Sequence, residues 1–127
     1  MIEECPDLQR FVHGELDPSR FPHREHLRMA FEMLRRHDFA EAAFRYSCAL
    51  RSMLGRAAKP QAFHQTITIA FLSLIAERME RAPSSDFEAF ARANDDLVDK
   101  SALARLYRPE RLASAAARRT FLLPDGM

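Results

Sequence analysis

Apolar side chains recur every three to four positions along most of the chain, the spacing of helices with one buried face. A helix opening near Pro22 places Leu27, Ala30, Phe31 and Leu34 on one side and Arg24, Arg28, Glu32 and Arg35 on the other. Followed back one turn at a time, its apolar stripe reaches His23, with His26 at the flank. Asp38 and Glu41 have the spacing of a capping box. They predict a third helix with Phe39, Ala43, Tyr46, Leu50 and Met53/Leu54 inward, stopping at Gly55. A fourth helix over residues 61–81, opened by Pro60 and closed before Pro83, carries Phe63, Ile67, Ala70, Phe71, Leu74 and Ile75. So wide an apolar face implies a central helix with several neighbours. Thr66-Ile67-Thr68-Ile69 has strand propensity, but the helical period continues through Met79.

The remaining elements are shorter. Pro6 starts a first helix that ends near Gly14, and Asp17-Pro18-Ser19 forms a turn. Ser85 and Glu88 make a second capping box, before a short helix through Phe87 and Phe90 that Asn94-Asp95-Asp96 breaks. Another short helix carries Leu103 and Leu106, and Pro109 opens the last, with Leu112 and Ala116. The tail Phe121-Leu122-Leu123-Pro124 is too apolar to dangle and is expected to dock on the body. The expected fold is all-α: one helical domain over residues 1–127, a compact array of five to seven helices around the buried helix 61–81.

Composition narrows the function classes. With 19 basic and 18 acidic side chains the net charge is +1, so no strong field draws the chain to nucleic acid or to an anionic membrane. The longest apolar run, Ile67 to Ala76, falls short of the about 20 residues a bilayer span needs. The start MIEECPDLQR lacks the basic flank and apolar stretch of a signal peptide. The two cysteines, Cys5 and Cys48, form no CxxC pair. Together these predict a cytoplasmic protein with reduced thiols.

The candidate chemistry centres on histidine. His23 and His26, three apart on a helix, are neighbours, and His64 sits at the opening turn of the buried helix. Three imidazoles and an open position would suit one divalent transition metal ion. The same side chains could line a metal-free polar pocket, as an enzyme's site or a binding site, or could simply hold loops by hydrogen bonds. Thr68, one turn beyond His64, could polarise a bound ligand or bond to its own helix carbonyl. Arg105, Arg108, Arg111 and Arg118 could form an anion clamp or a solvated face. No Glu-x-x-His pair, HExxH, phosphate loop or nucleophile elbow occurs. The alternative is a non-catalytic interaction module, binding another protein or forming a homodimer through an exposed apolar patch.

Four patches, FPHREHLRMA, FHQTIT, NDDLVDK and RPERLASAAARRTFLLPD, carry a resemblance. The chain resembles a family of small uncharacterised bacterial all-helical proteins with motifs of the form FxHxxHL, YHETIT and LxSxxAR…PD. The resemblance points to His23, His26, His64, Thr66, Ser114, Arg118 and Asp125, and implies no named activity. Phe63 stands where that pattern has Tyr and Gln65 where it has Glu. A neutral amide can neither balance a cation nor accept a proton at neutral pH.

Overall fold

A computed structural model describes residues 4–126. The reading of the chain's start falls in part on residues 1–3, outside those described. Eight α-helices make up the described structure, which has no strands: α1 (Pro6–Val12), α2 (His23–Arg36), α3 (Phe39–Arg56), α4 (Gln65–Arg81), α5 (Phe87–Ala93), α6 (Asp95–Val98), α7 (Pro109–Leu112) and α8 (Ala115–Arg119). Short 3-10 segments lie at Pro18–Arg20, Pro60–Ala62 and Lys100–Arg105. Two of the helices are single turns, so the compact all-α array is divided more finely than apolar spacing alone suggests. Among the described residues, no helix is long and apolar enough to cross a membrane.

Local chemistry explains the boundaries. The Asp38 side chain accepts the Glu41 N–H at 2.8 Å, capping α3 as its spacing predicts. The Glu41 carboxylate pairs with Arg45 instead of reaching back to complete the box. Gly55 does not stop α3, which continues to Arg56. Ala58 takes the left-handed turn, with φ 59°, and lets the Lys59 N–H reach the Leu54 carbonyl at 2.8 Å. Pro60 opens only the separate turn Pro60–Ala62; α4 starts at Gln65 with His64 as its N-cap. Asp86, not Ser85, caps α5. The segment after Pro109 breaks at Ser114, whose hydroxyl caps α8 through the Ala117 N–H.

α4 runs through the interior: no residue from 63 to 76 is exposed. It packs against α2, α3, α8 and the Lys100–Arg105 turn. α2 is buried beside it, in contact with α1, α3, α4, α5 and α6. That is why Met29 and Met33 are as buried as the predicted stripe residues. Ion pairs bind the array at its edges, Arg28 to Asp7 of α1, Arg24 to Glu88 of α5 and Arg78 to Asp96 of α6.

The core forms two clusters. The larger holds stacked and tilted rings, with Phe11 against Phe21 at 5.5 Å and Phe31 against Phe90 at 5.0 Å. The smaller gathers Ala70, Leu103 and Tyr107. Ile67 and Leu112 pack against the smaller cluster, and Phe71 and Leu74 against both.

The C-terminal tail docks by its main chain. Thr66, fully buried, donates its hydroxyl hydrogen to the Thr120 carbonyl at 2.7 Å and accepts the Leu122 N–H at 3.0 Å. The Tyr107 hydroxyl donates to the Leu122 carbonyl at 2.7 Å, and Asp125 accepts the Arg108 N–H at 3.0 Å. Phe121 and Leu123 stay 37% and 69% exposed. The tail docks on the body as expected, seated by hydrogen bonds between the Thr66 and Tyr107 hydroxyls and its backbone.

Candidate functional site

Where the two clusters meet they leave a cavity of about 630 Å³. The larger cluster contributes Leu27, Ala30, Leu50, Leu72 and Ile75 to its wall; Leu103, Tyr107 and Leu112 stand on the side of the smaller one. The exposed lining residues Pro22, Ala62, Ser101, Ala104 and Pro109 mark its mouth, and each belongs to a loop, a 3-10 turn or a helix start. His23, His26, His64 and Thr68 all line the same space. Among the described residues, the lining holds no Asp, Glu, Lys or Arg.

The histidines reach the cavity from helix starts. His23, the first residue of α2, aligns Nε2 with the Leu97 carbonyl at 3.0 Å and sets its ring edgewise to Phe71 at 4.9 Å. His26 packs its ring on Phe21 at 4.4 Å. Its Nδ1 meets the Tyr46 hydroxyl at 3.2 Å, and that hydroxyl also lies 3.4 Å from the His26 carbonyl. Burial pushes the Tyr46 phenol well above its ordinary range. Tyr46 therefore stays protonated at neutral pH and serves as a hydrogen-bonding group rather than a base.

His64 is committed to the fold. Its Nδ1 accepts the Ile67 N–H at 3.1 Å, which caps α4, and its Nε2–H donates to the Leu112 carbonyl at 2.7 Å. That pattern selects the Nε2-protonated neutral tautomer and leaves neither nitrogen lone pair for a metal. Among the described residues, no group of three or more His, Cys, Asp or Glu side chains is placed to hold a metal ion. The three-histidine metal centre that the spacing allowed is not assembled here, because the capping bond and the bond to Leu112 occupy its third member.

Thr68 differs. It is 8% exposed, yet its side chain makes no hydrogen bond to a described residue. No enclosed side-chain nitrogen or oxygen among the described residues lacks a partner, so this hydroxyl meets the cavity's open space rather than packed protein. The back-bond to its own helix, the ordinary role for a helical threonine, is not made.

Other sequence-level candidates lie elsewhere. Arg118 does not line the cavity; its guanidinium donates to the Gln61 carbonyl at 2.9 Å, tying α8 to the Pro60–Ala62 turn. The remaining residues of the resemblance, Thr66, Ser114 and Asp125, hold the tail and the α8 cap. Tyr46, Leu103, Tyr107 and Leu112 are lining residues that sequence reasoning missed as such. A second depression of about 710 Å³, shallower, lies between the ends of α2 and α4 and the start of α3. Four charged side chains, Asp38, Glu77, Glu80 and Arg81, border it, so it is the weaker candidate for enclosing a ligand.

Comparison of the chain with family models, with curated proteins and with solved structures finds no match.

Proposed function

We propose that this chain is a binding domain for a small, mainly apolar organic molecule held between the two core clusters. The observation that carries the reading is the cavity itself. Its volume of about 630 Å³ falls in the roughly 300–1,000 Å³ range of small-molecule sites, and apolar walls with a few polar groups are the usual composition of such sites. The cavity opens at its mouth to solvent, which gives a ligand a way in between the two clusters. Besides the fold-committed His64, the polar side chains on the lining are His23, His26, Tyr46, Tyr107, Thr68 and Ser101. They would orient a ligand, while the aliphatic walls would supply most of the affinity.

A neutral apolar fluorophore, N-phenyl-1-naphthylamine, tests this. Its emission should rise and shift to the blue on titration with the protein, saturating at one probe per chain. Ala104→Trp, at the exposed mouth, should weaken binding at least about tenfold with little change in melting temperature. Equal binding by the wild type and by Ala104→Trp would place the probe elsewhere and contradict the reading.

A further inference from the structure

Among the described residues the cavity lining holds no Asp, Glu, Lys or Arg side chain, so a ligand's charge would be met by backbone, by hydroxyl groups and by the imidazoles of His23 and His26. α2, 14 residues long, begins at the cavity: Pro22 and His23 are both on the lining, and no side chain caps this helix. α4, 17 residues long, starts at Gln65 beside the lining residue His64, whose side chain caps it. The N-terminus of a helix carries partial positive charge and outward-facing N–H groups, which favour a carboxylate and disfavour an ammonium. Independently, Thr68 offers a hydroxyl hydrogen from a residue more than nine-tenths buried, with no acceptor among the described residues. His23 packs on Phe71, and Phe71 lies one turn from Thr68 on α4, so the start of α2 and this hydroxyl flank the same part of the cavity.

Resting on the cavity as a binding site, we propose that its ligand is an aliphatic monocarboxylic acid. The carboxylate accepts hydrogen bonds at the start of α2 and from the Thr68 hydroxyl, and the hydrocarbon chain lies between the two core clusters.

Calorimetric titration of the unmodified protein with octanoate, 1-octanol and octylamine separates the possibilities, because the three share one chain and differ in the head. Octanoate should bind at least about tenfold more tightly than 1-octanol, and octylamine more weakly than either. Thr68→Val should lower octanoate affinity about tenfold while leaving N-phenyl-1-naphthylamine binding within about twofold, with folding checked by circular dichroism. If 1-octanol matches octanoate, or octylamine binds best, the carboxylate assignment is overturned and the cavity reading stands. Binding of the fluorophore without binding of any octyl compound overturns the assignment in the same way. If neither the octyl compounds nor the fluorophore binds, the cavity reading falls and takes the assignment with it.

Discussion

Both ring nitrogens of His64 are engaged, one by the Ile67 N–H and one by the Leu112 carbonyl, and this sets what its loss should cost. His64→Ala removes an N-cap and leaves the half-buried Leu112 carbonyl without its donor, so it should destabilise the protein by about 2 kcal/mol in urea denaturation. His64→Asn, which can still cap α4, should recover about half of that. A loss below about 0.5 kcal/mol for the alanine variant would mean that the histidine is not structural. Sequence placed His64 at the opening turn of the buried helix, which is where it stands. Its role was not legible, because its acceptor Leu112 lies 48 residues away in the chain. Thr66 and Arg118 illustrate the same limit: each bonds a main-chain carbonyl more than 50 residues distant. The Arg78–Asp96 pair gives a second expectation at this scale. Arg78 grips both carboxylate oxygens, at 3.0 and 2.8 Å, and holds the Asp96 carboxyl below its ordinary value of 3.8. A depressed folded-state pKa contributes stability above the unfolded value, lost as pH falls through the folded one. The pair is partly solvated, so the contribution is at most about 1 kcal/mol. The stability gap between wild type and Asp96→Asn should therefore be present at about pH 6 and shrink towards about pH 2. A gap that stays constant or widens on acidification would contradict the assignment.

Elements were easiest to read where a side chain announces an end. Asp38 is the α3 cap that its spacing predicts, and α2 begins one residue after Pro22. Boundaries shifted where two neighbouring residues could serve, as with Ser85 and Asp86, or where proline opened a separate turn, as Pro60 does. The end of α3 is the instructive case. Gly55 is the residue that composition marks for a stop, yet the left-handed position falls three residues later, on Ala58. A Cβ in that conformation costs roughly 1–2 kcal/mol, and glycine gives back part of that gain through its freer unfolded chain. Ala58→Gly should thus stabilise the protein by about 0.5–1 kcal/mol, seen as a rise of roughly 2–6 °C in melting temperature. A fall in melting temperature would show that this turn does not hold Ala58 at positive φ. Gly14 carries the same kind of turn after α1, and there glycine is needed twice over. Its φ is +70°, and a Cβ would come within 2.7 Å of the Ser52 hydroxyl.

At the scale of the whole molecule, helical periodicity shows which side of each helix turns inward but not whether the inward sides close on one another. The apolar faces of α2 and α4 were legible, and so was the placing of His23, His26 and His64 near the core edge. The cavity was not, because it depends on how far the larger cluster stands from Leu103, Tyr107 and Leu112, and those residues sit in short turns with weak periodicity. The tail was legible as a docked segment but not in its manner of docking, which is settled by Thr66 and Tyr107 hydroxyls reaching its backbone. The central claim is that the gap between the two clusters receives a ligand, and methyl-labelled NMR tests it most directly. On addition of N-phenyl-1-naphthylamine, the methyl resonances of Leu27, Leu72, Ile75 and Leu103 should shift, and those of the exposed Leu123 and Val12 should not. Shifts confined to Leu123, Val12 or other surface methyls, with the cavity methyls unmoved, would contradict the account.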